Sequence, residues 1–256
     1  MLPDSRTIPL DAIHIAVHGA GVPLLLGFPL MASHGEIFGE TAAEVLRGYL
    51  DRLTDRYRVL LVDYPSIGRS GSIPPSALTA DRVCADLLRA ADMAGFDRFA
   101  YWGHSWGGGV GLQLATRTDR LTALVCSGWP PLGGPYAEAL EGARRQAASP
   151  PAYAMAVLRE PSQYAQWVSY LESVVGWPER EALSRFTGPR LAIAGSLGDS
   201  DAGGVDIPIA SRNRAHRAEL EAMGWQVREI PGRDHSVCLD PAAVVPAVRE
   251  FLDAVT

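Results

Sequence analysis

Short, almost uninterrupted apolar runs, each followed by a longer stretch of helical periodicity, constrain this chain more than any other feature. VLLVD, FAYWGH, LTALVCSG and RLAIAG are apolar at nearly every position. A strand with one wet face alternates; a strand apolar throughout is buried on both faces, as in a parallel sheet covered by helices. Strand candidates lie at residues 13–17, 23–27, 58–63, 99–104, 121–127, 189–194 and 226–230. Helix candidates lie near 37–53, 79–94, 107–116, 209–223 and 242–255. This alternation predicts a doubly wound, mostly parallel α/β sheet with right-handed crossovers. Ligands bind such sheets at the carboxyl ends of the strands, so function is sought there.

Composition narrows the classes. The chain has 256 residues, 47% hydrophobic and 20% charged, with no like-charge run. A disordered chain would be more charged and less apolar. No apolar run approaches the ~18 residues of a membrane span. The start, MLPDSRTIPLDAIHIAVHG, carries Asp4 and no long apolar core, so it does not read as a signal peptide. A net charge of -6 without a basic stripe argues against nucleic acid as partner. Cys84, Cys126 and Cys238 are far apart and odd in number, which fits a reducing cytosol without disulfides or a zinc site. The expectation is a cytoplasmic protein acting on a small molecule, with no nucleic acid and no membrane as partner.

One segment breaks the rhythm. Residues 129–187 contain no good strand, open on the breaker-rich WPPLGGP, and are punctuated by SPP, EP and WP. They hold seven of the chain's 6 Trp and 8 Tyr. The division expected is a core of residues 1–128 and 188–256 with a helical cap at 129–187. The aromatics serve to pack that excursion onto the sheet domain, to line an apolar substrate pocket beneath a lid, or both. Trp129, Tyr136, Trp167 and Tyr170 are the candidate lining residues.

The chemistry is carried by Gly103-His104-Ser105-Trp106-Gly107, a G-x-S-x-G between an apolar strand and a helix. This strand–turn–helix setting is that of a nucleophile elbow, where a strained turn exposes the serine and small flanking residues avoid clashes. The competing reading is a glycine-rich turn whose serine caps the helix. A serine nucleophile needs a base, and the base an orienting acid, in the chain order Ser, Asp or Glu, His. Of the histidines well past Ser105, His216 lies in an arginine-rich helical stretch and reads as a solvated face. His235, in PGRDHSVCLDP just past a strand, is the candidate base. SLGDSDAGG after RLAIAG offers Asp199 and Asp201 as the acid; Asp199, nearer the strand, is preferred. Asp234 diverges from its neighbour His235, and Asp240 before Pro241 reads as a helix N-cap. The oxyanion hole is expected from the N–H of Trp106 and that of Phe28 in LLLGFPLMASHG; Pro29 has no N–H to give.

At these residues the chain resembles the α/β-hydrolase superfamily over nearly its whole length. Gly27-Phe28-Pro29, the segment DYPSIGRS, the elbow GHSWGG, the acid loop and RDHSVCLDP carry the resemblance. It implies a triad of Ser105, Asp199 and His235, an oxyanion hole at Phe28 and Trp106, and a cap at 129–187. Leu26 stands where many members have histidine before the glycine, and Pro65-Ser66 where many have arginine–glycine. Serine at the elbow implies acyl transfer, since the superfamily's epoxide hydrolases and dehalogenases use aspartate there. The expected reaction is hydrolysis of an ester or lactone of a small apolar or aromatic substrate through an acyl-enzyme, with no metal or organic cofactor. Three alternatives stay open: an amidase similar to proline iminopeptidases, in which Glu138, Glu141, Glu160 or Glu172 would hold an amine; a non-hydrolytic perhydrolase, lyase or acyltransferase; and a binding protein without turnover.

Overall fold

The computed structural model describes residues 12–256; the amino-terminal stretch read for a signal sequence falls, up to residue 11, outside the described residues. These residues form a seven-stranded sheet. Its strands are β1 (Ile15–His18), β2 (Val22–Leu26), β3 (Tyr57–Val62), β4 (Phe99–His104), β5 (Leu121–Ser127), β6 (Arg190–Leu197) and, after a small hairpin of β7 (Ser200–Ala202) and β8 (Val205–Ile207), β9 (Trp225–Asp234). The order is β1-β3-β2-β4-β5-β6-β9, and every pair is parallel except β1 with β3. All seven expected strands form. No helix among the described residues is long and apolar enough to cross a membrane.

The apolar runs are explained by what covers the sheet. Successive residues of one strand point to opposite faces. Leu25, Leu60, Tyr101, Leu124 and Cys126 belong to one buried cluster, and Leu24, Leu61, Trp102, Val125 and Ile193 to the other. The second face is covered by α2 (Glu40–Leu53) and the last helix (Pro241–Val255), through Tyr49, Leu53, Val248 and Leu252. The first is covered by α3 (Ala80–Met93) and α4 (Trp106–Ala115), and by the helices that follow β5. Two expected helices are broken. His34–Phe38 (α1) is separated from α2 by Gly39 at φ 86°. The stretch expected at 209–223 divides at His216 into Ala210–Ala215 and Arg217–Ala222.

Between β5 and β6 the described chain is helical: α5 (Tyr136–Ala148), α6 (Ala152–Val157), a 3₁₀ turn, α7 (Ala165–Val174) and α8 (Glu179–Ser184). The WPPLGGP entry is pinned by Glu179, whose carboxylate oxygens accept the N–H groups of Gly133 and Gly134 at 2.8 Å each. The loop after β6 is not an open loop. It forms the hairpin of β7 (Ser200–Ala202) and β8 (Val205–Ile207), turned through Gly203 and Gly204 at φ 59° and 72°. After it come α9 (Ala210–Ala215) and α10 (Arg217–Ala222), then β9, and α11 (Pro241–Val255) closes the chain. Asp240 caps α11 by accepting the Ala243 N–H, as its place before Pro241 led one to expect.

Candidate active site

β4 runs straight into α4 with one residue between them. That residue, Ser105, has φ 56° and ψ −125°, a conformation costing a non-glycine residue about 1–3 kcal/mol. The turn is held by the Ser105 N–H donating to Ser127 O at 2.8 Å and the His104 N–H to Phe28 O at 2.9 Å. Its tightness dictates the glycines. A Cβ on Gly103 would stand 2.2 Å from Gly107 O, and one on Gly107 would stand 2.3 Å from Phe28 O. Both obstacles are backbone and cannot rotate away. Gly103→Ala is therefore expected to destabilise the fold by about 1–3 kcal/mol or more, read as a lowered urea midpoint.

β9 pairs with β6 as far as Asp234, which lies beside Leu197, and delivers His235 to the elbow at the start of a 3₁₀ turn, His235–Leu239. His235 Nε2 lies 2.9 Å from Ser105 Oγ. Burial of the imidazole lowers its pKa below the usual histidine value, with the Asp234 charge opposing. The ring is therefore neutral near pH 7; where Nε2 accepts the Ser105 hydroxyl, the ring proton sits on Nδ1. Nδ1 is buried without a hydrogen-bond partner among the described residues.

The expected orienting acid is not there. Asp199 is exposed, and its Oδ1 accepts the N–H groups of Ile209 at 2.7 Å and Ser211 at 3.0 Å, fastening the start of α9. Those N–H groups hold its carboxyl below the ordinary aspartate range although partial burial pulls the other way. Asp201 is spent on the β7–β8 turn, where its Oδ1 accepts the Gly204 N–H at 3.2 Å. Asp234 caps the 3₁₀ turn through the N–H and hydroxyl of Ser236. The structure brings together Ser105 and His235 and turns both candidate acids to local backbone.

The oxyanion donors divide in the same way. Trp106 is the first residue of α4, so its N–H has no intrahelical acceptor and lies next to the nucleophile. The Phe28 N–H, expected to face the site, instead donates to Tyr64 Oη at 3.1 Å. Tyr64 is buried, and its phenol oxygen is satisfied in part by that N–H. The loop carrying Phe28 is braced by Asp63, fully buried, which accepts from the N–H and hydroxyl of Ser33 and from the N–H of Arg69.

Phe28, Tyr64, Trp106 and Tyr170 form a box of edge-on rings, with centroids 5.6 Å apart for Phe28–Trp106, 5.0 Å for Tyr64–Trp106 and 5.0 Å for Trp106–Tyr170. Of the four aromatics expected to line a pocket, Tyr170 alone joins this box. Trp129 and Tyr136 pack on each other with centroids 5.3 Å apart and planes tilted by 58°, Trp129 lying against the glycine face of α4, and Trp167 packs on Tyr164. Small residues on α4 leave a trough, and the larger rings at the cap entry fill it. Tyr64 and Phe28 were missed as wall residues because each sits in a loop motif that reads as backbone machinery. His216 is half-buried beside Gly133 and 3.5 Å from Glu219, not on the solvated face expected of it.

A strained serine on a strand–helix elbow beside an imidazole, on a mostly parallel sheet flanked by helices, is the arrangement of the α/β-hydrolase fold. A family model described as the alpha/beta hydrolase family matches residues 15–247, and the chain belongs to that family. RutD of Azorhizobium caulinodans, which carries the name of a carbamate hydrolase, is 29% identical over 184 residues, 69% of this chain and 64% of that protein. A protein of Streptomyces coelicolor named as a proline iminopeptidase is 34% identical over 125 residues, 46% of this chain and 37% of that protein. The match thus spans less than two-thirds of either relative's length. Among solved structures, an esterase from Thermogutta terrifontis superposes with a TM-score of 0.66 at 22% identity, covering 95% of this chain and 93% of that one. The enol-lactonase of Burkholderia xenovorans LB400 gives 0.66 at 19%, covering 94% and 96%. At these identities the structural likeness speaks to the fold.

Proposed function

We propose that the protein hydrolyses an ester or lactone of a small apolar or aromatic substrate through an acyl-enzyme on Ser105. The observation that carries this reading is the 2.9 Å approach of His235 Nε2 to Ser105 Oγ on the strained elbow. His235 takes the serine proton as Oγ attacks the carbonyl carbon. The Trp106 N–H and the α4 terminus face the oxygen that becomes negative. His235 then protonates the leaving alcohol, and a water deprotonated by the same nitrogen releases the acid and restores Ser105. The ring box of Phe28, Tyr64, Trp106 and Tyr170 suits an apolar or aromatic group beside the reacting carbonyl.

The disposition of the cap acids favours an ester over an aminopeptidase substrate. Glu138 pairs with Arg212 at 2.8 Å, Glu141 with Arg145 at 2.9 Å and Glu172 with Arg144 at 2.8 Å. Those three carboxylates are matched by guanidinium groups, the fourth candidate, Glu160, is exposed at the start of the 3₁₀ turn, and the four do not gather to hold a substrate amine. Carbamates and amides form the second acyl class to test, because of the names carried by the sequence relatives. Peroxide and alcohol acceptors test for the non-hydrolytic chemistries.

The experiment is a panel of p-nitrophenyl esters of graded chain length, aryl lactones, a carbamate and an aminoacyl arylamide, with labelling by a fluorophosphonate. Turnover of short or aromatic esters or of lactones is expected, with the label on Ser105. Absence of labelling, or turnover of the arylamide alone, would overturn the reading.

A further inference from the structure

His104, the residue before the proposed nucleophile, is 5% exposed at the end of β4. Both its ring nitrogens are engaged. Nε2 lies 2.9 Å from the carbonyl oxygen of His235, and Nδ1 lies 2.9 Å from Ser127 Oγ. A carbonyl oxygen only accepts, so Nε2 carries the proton; Nδ1 then accepts, and the Ser127 hydroxyl donates to it. The network admits a single tautomer. Burial, with His235 nearby, lowers the His104 pKa to about 3, so the ring keeps this neutral form throughout the working range. The two imidazoles also face each other, with centroids 4.8 Å apart and planes tilted by 38°. Room for the His104 ring exists because residue 128 is glycine at φ 60°: a Cβ there would stand 2.4 Å from His104 Cε1. Ser127 closes the circuit, since its carbonyl accepts the Ser105 N–H while its hydroxyl donates to His104 Nδ1.

Resting on the reading of Ser105 and His235 as nucleophile and base, we propose that His104 is a positioning residue: it locks the main chain and ring face of His235 over Ser105. An imidazole with a carboxylate on Nδ1 is held by its own ring. This one has no such hold among the described residues, and is held through its carbonyl and by ring contact. The charged group that senses the His235 proton is Asp234, exposed and capping the 3₁₀ turn; His104 is neutral. The path from nucleophile to base is thus Ser105 to Ser127 to His104 to His235, entirely through β4, β5 and the turn after β9.

The test compares wild type with His104→Ala, His104→Gln and Ser127→Ala, by kcat and KM on the best ester and by the rate and pH dependence of fluorophosphonate labelling. Gln keeps an N–H in place of Nε2 and an oxygen able to accept from Ser127. A displacement of about 1 Å at a reacting group can cost 10²-fold. His104→Ala is expected to lower kcat and the labelling rate about 10–100-fold with KM within about 3-fold. The acidic limb of labelling, which requires neutral His235 and lies below 6.5 in wild type, should move up as water reaches the emptied space beside the ring. His104→Gln should recover most of the rate, and Ser127→Ala should lose several-fold. Wild-type rates and limb in folded His104→Ala and Ser127→Ala, or no recovery in His104→Gln, would overturn the proposal. If His104→Ala does not fold, the other two variants decide alone: a wild-type rate in Ser127→Ala or an alanine-like loss in His104→Gln overturns it. Failure of wild type itself to label would instead overturn the serine mechanism.

Discussion

Ser105→Ala is expected to lower kcat/KM for the preferred ester about 10³-fold, with the circular dichroism and urea midpoint of the parent retained. The magnitude follows from bounds set by serine hydrolases at large. In a complete triad, losing the serine costs about 10⁶-fold, and losing only the orienting carboxylate about 10⁴-fold, which leaves a bare serine–imidazole pair some 10²-fold of its own. Here His235 Nδ1 has no carboxylate among the described residues, so the ceiling does not apply. The hold of His104 on the His235 carbonyl raises the pair above the floor. What survives in the variant is binding plus the donors at the α4 terminus, so KM should change little. A variant keeping more than about a tenth of wild-type activity would remove Ser105 from the reaction. A loss near 10⁶-fold would mean that a carboxylate reaches Nδ1 during turnover, and Asp199 would have to leave α9 to do it.

The same contrast shows what the chain discloses before it is folded. The sheet was legible because strands buried on both faces have no wet position: β3 to β6 read as apolar runs, and their clusters on either side are the reason. The elbow was legible because sterics leave only glycine at 103 and 107. The acid was not legible, because a glycine-rich Asp loop and a tight hairpin share a composition. The Gly203-Gly204 pair is the signal that could have separated them, since consecutive positive φ values favour a two-residue hairpin turn. That hairpin takes Asp201 into its turn, and the start of α9 takes Asp199. Phe28 and Trp129 escaped for a different reason. Their expected roles rested on position along the chain, whereas the actual partners, Tyr64 and the glycine face of α4, lie far away in sequence. His104 filled a variable place in a motif; its burial at a strand end, with two polar ring atoms to satisfy, was the physical mark of a role.

Those buried imidazoles also set how the fold responds to acid. From pH 7.5 to 5 the protein is expected to lose about 4 kcal/mol of stability. Burial lowers His34 to about 4 and His104 to about 3, against an ordinary 6.5. In the unfolded chain both take up protons as the pH falls through 6.5, while in the folded protein they stay neutral. The unfolded state then binds more protons, so stability drops with falling pH, by about 1.4 kcal/mol per pH unit for each such histidine once below 6.5. Two groups across that interval contribute about 2 kcal/mol each, and His235, lowered as well, adds in the same direction. Glu179 works in the opposite sense, because burial raises its carboxyl, but its titration belongs to the carboxylate range. Arginine-paired surface acids act at still lower pH and are screened. Urea midpoints taken at half-unit steps measure the slope directly. His104→Gln, the variant that keeps the N–H to His235, removes one proton from the balance and should cut the fall by about 2 kcal/mol. A stability curve flat from 7.5 to 5 would mean that His34 and His104 protonate freely in the folded state. The tautomer that holds His235 over Ser105 would then dissolve within the physiological range.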